Sequence, residues 1–294
     1  MAKILIPGDI DWSLGSFVNC FQDGAAVRPD FDPNMVPNPN FENSYSLSFD
    51  GNNDYVSFGD VLDSLFTTNT FTIELWAYRT RDTDVSGYKG MLIQKWYTSS
   101  SSSNAFILYH DRFVTNATNT EFTAPPQNEW HHYAISMNAG TVSIYIDGEL
   151  AASGSGHDCN GVAKALMLGQ LWNGYYNFGG KLTDVRIWDY ARSQAEIQAD
   201  MHKKLTGSES GLVLYCPFDE GSGTTLTDIA GGHNGTISGA GWVEEATPSI
   251  VSAFLFNNDY TDATGNRTLT LSGNISGYPT GLENQGTVSY THLR

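Results

Sequence analysis

The sequence predicts an all-β chain, an antiparallel β-sandwich with one short helix. Three observations predict it. Phe71, Ile73, Leu75 and Ala77 alternate with Thr72, Glu74, Trp76 and Tyr78, the period of two expected of a strand. Asp147-Gly148 sits between two such runs and marks a tight hairpin, because glycine tolerates the positive φ that the turn demands. Only one short helix is read, opened by Ser193 with Glu196 three residues on, where each side chain can satisfy an N–H of the other.

The elements follow in order. Residues 1–44 are rich in Asp, Asn and Pro, with Pro29, Pro33, Pro37 and Pro39 close together, and read as an irregular lead-in. Strands begin at Tyr45. Phe49 to Tyr55 places a polar turn between two short strands, and Leu92 to Trp96 is a further strand. Ser99 to Ser103 is a low-complexity serine loop. Ala105 to Tyr109 and Arg112 to Thr115 form a hairpin. Pro125-Pro126 precedes the strand Trp130 to Met137, and Val142, Ile144 and Ile146 share one side of the next. Leu182, Val185, Ile187 and Trp188 mark the strand before the helix. Leu212 to Cys216 is apolar throughout, as in a central strand buried on both faces, and Pro217 ends it.

Thr227 to Gly231 then leads to the polar-apolar run Gly235 to Gly239. The arrangement recurs as the apolar strand Ala253 to Phe256, the turn Thr261 to Gly265 and the strand Thr268 to Gly273. Residues 45–246 are therefore expected to form the main sandwich, and 247–287 the truncated start of a second domain of the same kind. Residues 288–294 break the pattern and resemble the translation of a library-preparation adapter, so they are set apart from the fold.

Composition limits the function. The chain has 294 residues, 40% hydrophobic and 13% aromatic, enough for a packed core. Net charge is −17, which argues against nucleic acid and against anionic membrane surfaces, since both reward clustered Lys and Arg. Acidic excess suits solubility, calcium capture or neutral partners such as glycans. Cys20, Cys159 and Cys216 are widely spaced and form no C-x-x-C pair, so zinc and redox motifs are absent. No apolar run approaches the roughly 20 residues of a membrane span. Met1 to Pro7 is too short for the apolar region of a signal peptide.

Gly179 to Lys204 joins a strand, Gly180-Lys181-Leu182-Thr183-Asp184-Val185-Arg186-Ile187-Trp188, to a short helix opened by Ala191-Arg192-Ser193. Upstream, in order, stand Ser46-Leu47-Ser48-Phe49-Asp50-Gly51 with Asp54-Tyr55-Val56, then Phe71 to Trp76, then Trp130-His131-His132-Tyr133-Ala134 with Ile144 to Gly148. Together they resemble the laminin-G-like domain of the concanavalin A-like lectin/glucanase superfamily, over roughly Tyr45 to Trp242. The resemblance implies a concanavalin A-like jelly roll. It also implies work outside cells; with no export signal visible, the expected place is extracellular, at a cell surface or on a virion released by lysis. On it, residues 247–287 read as the opening of another laminin-G-like domain.

Glucanases of that superfamily carry paired carboxylates spaced E-x-D on one strand. This chain has no E-x-D, no G-x-S-x-G and no H-E-x-x-H, and no catalytic residue is assigned. Asp147 and Glu149 bracket a turn glycine. His131 and His132 are neighbours on a strand, point to opposite faces and cannot chelate one ion together.

Two groups remain. Asp50, Asn52, Asn53 and Asp54 concentrate hard oxygen ligands in one turn, and the resemblance places the first strand near the last, which would bring Asp184 close. Ca²⁺ on Asp50, Asn52, Asp54 and Asp184 is the metal expectation, beside the plain preference of Asp and Asn for turns. Aromatic rings with amide neighbours suit sugars, which stack on the rings and bond through their hydroxyls. Trp172, Asn173, Tyr175 and Tyr176 form one such loop; Trp96 and Tyr97 form a second. Trp76, Trp130 and Trp188 sit in strands and read as core.

The expected function is a non-catalytic carbohydrate-binding or adhesion module of a larger surface or virion-associated protein, its partner a glycan or polysaccharide. The alternatives are a structural or protein-interaction domain of a phage particle and, more weakly, a glycoside hydrolase.

Overall fold

The computed structural model describes residues 45–84, 87, 89–96, 105–159, 164–171 and 174–245. The expectations for 1–44, 247–287 and 288–294 lie outside them, as do Cys20, Tyr97, Trp172 and Asn173.

Two antiparallel sheets, A and B, form a sandwich. The chain enters A as β1 (Tyr45–Asp50) and turns into B as β2 (Tyr55–Asp60). A one-turn helix, α1 (Asp63–Phe66), leads to β3 (Phe71–Arg79) in A. β4 (Met91–Lys95), β5 (Phe106–Tyr109), β6 (Arg112–Thr115) and β7 (Asn119–Glu121) run up and down across B. β8 (Trp130–Asn138), β9 (Thr141–Ile146) and β10 (Glu149–Gly154) form a meander in A. β11 (Ala165–Leu168) returns to B between β2 and β4, and β12 (Gly179–Trp188) to A between β3 and β1. After α2 (Gln194–Asp200), β13 (Leu212–Cys216) pairs with the second half of β12. β14 (Thr225–Leu226) and β15 (Gly235–Ser238) extend B beyond β2, and β16 (Gly241–Glu244) closes A against β1.

The alternation read from the sequence is what places the core. Phe71, Ile73, Leu75 and Ala77 of β3 face inward, and with Leu47, Ile135, Val142 and Val185 they meet Val56, Leu92, Phe106 and Leu168 of sheet B. α1 supplies Phe66, whose ring packs edge-on against Phe71 with centroids 5.0 Å apart. A single short helix was expected; α1 is a second, and its four residues are too few to show a helical period. Asp147 (φ 52°) and Gly148 (φ 78°) make the primed turn between β9 and β10. Cys159 and Cys216 are free and buried, and burial raises both thiols above their ordinary range.

The other face of β3 is covered as well. Thr72, Glu74 and Trp76 are buried beneath the segment from Tyr190 to α2. The capping box is present: Ser193 Oγ accepts from Glu196 N–H and Glu196 accepts from Ser193 N–H. Arg192 donates to Glu74 at 2.8 Å and to Asp200 at 2.5 Å, stitching strand, connection and helix together.

β13 departs from expectation. Its apolar run predicts a central strand, yet among the described strands it pairs only with β12. Its second edge is sealed by the loop after β14. Ile229 N–H donates to Tyr215 C=O, and the Asp228 carboxylate accepts from the N–H groups of Tyr215, Ala230, Gly231 and His233. A side chain and loop do there what a neighbouring strand would do.

Candidate functional site: an aromatic face on sheet B

Alternation on β5 sends Phe106 and Leu108 into the core and Ile107 and Tyr109 to the outer face of sheet B. β6 repeats it, Phe113 inward and Val114 outward. Met91, Ile107 and Leu171 form a small buried cluster there, with Trp96, Tyr109, Val114 and Tyr176 packed around it. Tyr109 and Tyr176 meet edge to face, centroids 6.0 Å apart at 64°. The Arg112 guanidinium lies over the Tyr109 ring at 5.5 Å. Tyr175, next in the loop, is 48% exposed. Aromatic rings partly open to water, set beside amides, are what sugar rings stack on.

The loop carrying Tyr175 and Tyr176 is tied down from several directions. Asp84, itself buried, accepts from the N–H groups of Tyr176 at 3.0 Å and Asn177 at 3.3 Å. Gln170 donates to the Asn177 side-chain carbonyl at 2.7 Å, and Asn177 donates to Gly174 C=O at 3.0 Å. Met91 N–H donates to Tyr176 C=O at 3.0 Å, fixing the loop to β4. At Gly90 a Cβ would stand 2.9 Å from Asn177 O, so the close approach there depends on glycine. Asn177 and Phe178, which follow Tyr176, are buried in the loop's frame.

Electrostatics leave this face nearly neutral. Burial, and then the neighbouring Tyr176, raise the Tyr109 phenol, which stays protonated and able to donate. Burial lifts Asp111, but the Lys89 hydrogen bond, His110 and Arg112 outweigh it, so its carboxyl titrates below the ordinary range. Burial and then Arg79 push His110 down to about 4, so it is neutral. Lys89 and Arg112 share Asp111 as their counter-charge.

Two separately predicted loops thus converge: Trp96 and Tyr176 border one cluster. Three contributors were not foreseen. Tyr109 and Arg112 bracket a hairpin that was read, but the outward position of Tyr109 follows from its parity with the inward Phe106 and Leu108. Gln94 pairs in register with Ile107, is fully buried, and accepts from Trp96 N–H. Its Nε2 has no partner among the described residues.

The oxygen-rich turn is only partly assembled. Asp50 N–H donates to Asp54 Oδ2 at 2.8 Å and Asn52 N–H to Asp50 Oδ1 at 2.8 Å. Burial, opposed by the Asp50 backbone N–H and aided by the Asp50 charge, raises the Asp54 carboxyl. Asp184 is not with them. β1 does pair with β12, but the register sets Asp50 against Gly179, which leaves Asp184 five residues along, about 16 Å away. There it sits in a bulge at φ 55°, its two carboxylate oxygens accepting from Arg186 at 2.9 and 2.6 Å. His131 and His132 diverge as expected, one to Asp147 at 2.7 Å and the other towards Glu74 at 3.4 Å.

The family model described as concanavalin A-like lectin/glucanases superfamily matches residues 50–198. Among curated proteins, the chain is 27% identical over 150 residues to the rat (Rattus norvegicus) Sushi, von Willebrand factor type A, EGF and pentraxin domain-containing protein 1. That match takes in 46% of this chain and only 4% of the relative. Among solved structures, a candidate carbohydrate-binding protein from Bacteroides ovatus superposes with a TM-score of 0.53 at 21% identity. The superposition covers 69% of this chain and 60% of that one. A heptameric pentraxin from Limulus polyphemus gives a TM-score of 0.39 at 16% identity, over 53% of this chain and 81% of the pentraxin. With half of its length matched by the family model and its sandwich, strand order and helix cap in place, the chain belongs to the concanavalin A-like lectin/glucanases superfamily.

Proposed function

We propose that the chain is a non-catalytic carbohydrate-binding or adhesion module of a larger surface protein, and that its glycan lies on the outer face of sheet B. The observation that carries this is the convergence of Trp96, Tyr109 and Tyr176, from three separate segments, on one patch beside the exposed Tyr175. The fold shared with the Bacteroides ovatus protein fits the reading. So does the patch's chemistry: the bordering carboxylates Asp84 and Asp111 are already committed to backbone N–H groups and to cations. Acid–base hydrolysis needs a free carboxyl pair, and these do not provide it. Trp172, Asn173 and Tyr97 belong to the same proposal by their place in the sequence.

The test is retention on a broad glycan array. The unsubstituted chain should bind a defined subset, and Trp96→Ala and Tyr175→Ala should each weaken that binding at least tenfold while melting stays cooperative. No retained glycan, or retention untouched by both changes, overturns the reading.

Calcium enters only through the turn. Asp50, Asn52 and Asp54 would offer side-chain oxygens, short of the six to eight that calcium takes, so backbone carbonyls and water would complete the shell. Asp184 contributes nothing to that set. After chelation, millimolar calcium should raise the melting temperature, because an ion that binds only the native state stabilises it. Asp50→Asn should abolish the rise. An unchanged melting temperature removes calcium from the account.

A further inference from the structure

On the face of the sandwich away from the aromatic patch, β8, β9 and the entry to α2 enclose an open cleft of about 470 Å³. Its floor follows from alternation. Val142 and Ile144 of β9 point into the core, so Thr141, Ser143 and Tyr145 point outward. Register sets Ser136 beside Ser143 and Asn138 beside Thr141. Its wall is the crossing segment 191–193. Arg192 N–H donates to Thr72 Oγ1 at 2.8 Å, and Ser136 Oγ donates to Arg192 C=O at 2.7 Å, so the wall is fixed to the sheet.

Wall and floor differ in one respect that matters. The charged wall groups are engaged: Arg192 with Glu74 and Asp200, Glu196 with Ser193. The floor is not. The side chains of Asn138, Thr141, Ser143 and Tyr145 make no hydrogen bond to any described residue. A rigid, electrically settled wall thus stands beside an amide, two hydroxyls and a phenol with unused donors and acceptors.

We infer that this cleft is a second binding site, for a neutral polyhydroxylated ligand of about one pyranose unit, separate from the aromatic face of sheet B. The volume lies in the range of small-ligand sites. Neutral hydroxyls and an amide complement sugar hydroxyls, and the half-buried Tyr145 ring offers an apolar surface for a sugar face. No free cation in the cleft would hold an anion, and the exposed Glu196 together with the net charge of −17 works against one. Packed sheets lie about 10 Å apart, so the two sites look in opposite directions and one chain could bridge two glycans.

The experiment is titration of the full chain with a panel of neutral methyl glycosides (gluco, galacto, manno, xylo and arabino), followed by NMR and calorimetry. The expected result is a glycoside that perturbs Asn138, Ser143 and Tyr145 signals. Tyr145→Ala and Ser143→Tyr should each weaken that site at least tenfold, while Trp96→Ala with Tyr175→Ala leaves it intact. If Ser143→Tyr fails to fold, Tyr145→Ala, a truncation at a half-buried surface position, carries the test. Binding in the cleft alone would support the second site and remove the proposal for sheet B. Binding lost entirely with Trp96→Ala and Tyr175→Ala, no perturbation of the cleft by any glycoside, or binding there only of charged sugars in a salt-dependent manner would overturn it.

Discussion

Glu74 is fully enclosed between sheet A and the segment leading to α2, and it remains ionised. Burial alone would raise its carboxyl. The His132 hydrogen bond and the charges of His132, Arg186 and Arg192 outweigh burial and bring it down from 4.5 to about 2. A depressed carboxyl contributes stability that is complete above its unfolded value and is lost as pH falls through the folded value. Here the window is pH 4.5 down to about 2. Glu74→Gln should therefore cost about 3 kcal/mol at pH 7, because it removes one of the two carboxylates that face the buried Arg192 guanidinium. Urea unfolding at pH 7 and pH 2.5 checks it, and the gap between variant and parent should shrink at the lower pH. The same residue shows what the sequence left hidden. Period two announced that Glu74 faces away from Ile73, but nothing in one strand's alternation says that a helix 120 residues later will cover that face. Asp184 failed for a related reason: the strand pairing was legible, but the register that sets Asp50 against Gly179 was not.

At the scale of elements, short devices decide geometry. The turn between β9 and β10 needs glycine twice over. Gly148 has φ 78°, and a Cβ on it would stand 2.8 Å from Gln198 Cγ and 3.2 Å from Met201 Sδ. Gly148→Ala should cost about 1–2 kcal/mol from the left-handed backbone alone, plus displacement of α2. A chemical-denaturation midpoint measures the cost, and Gly148→Ala without effect would show that the turn is not held against the helix. Asp228 seals the open edge of β13 with four backbone N–H groups. Asp228→Ala leaves those donors without their acceptor and should destabilise by at least about 2 kcal/mol. Amide exchange should report it first at Tyr215, with no local acceleration counting against the edge-sealing role. Hairpins, helix cap and turn were legible because each rests on residues within four positions of one another. The position of β13 was not, since an apolar run reads alike whether a strand or a loop covers its edge.

The described residues of this acidic chain form a sandwich whose two outer faces differ in chemistry. Sheet B carries aromatic rings outward, and sheet A carries a buried ion-pair network under α2 with a polar cleft beside it. Among the described residues no helix is long and apolar enough to cross a membrane. The aromatic face was half legible. Trp96 and Tyr176 stood out as aromatics beside polar loops, but their meeting depends on β11 inserting between β2 and β4, which sequence order does not reveal. A glycan held on this face would shield its strands and loop from solvent. Amide hydrogen exchange of the full chain, with and without a saturating oligosaccharide drawn from the array, tests it most directly. Exchange should slow across 91–96, 106–114 and 174–177. Binding that leaves all three segments unprotected would contradict it.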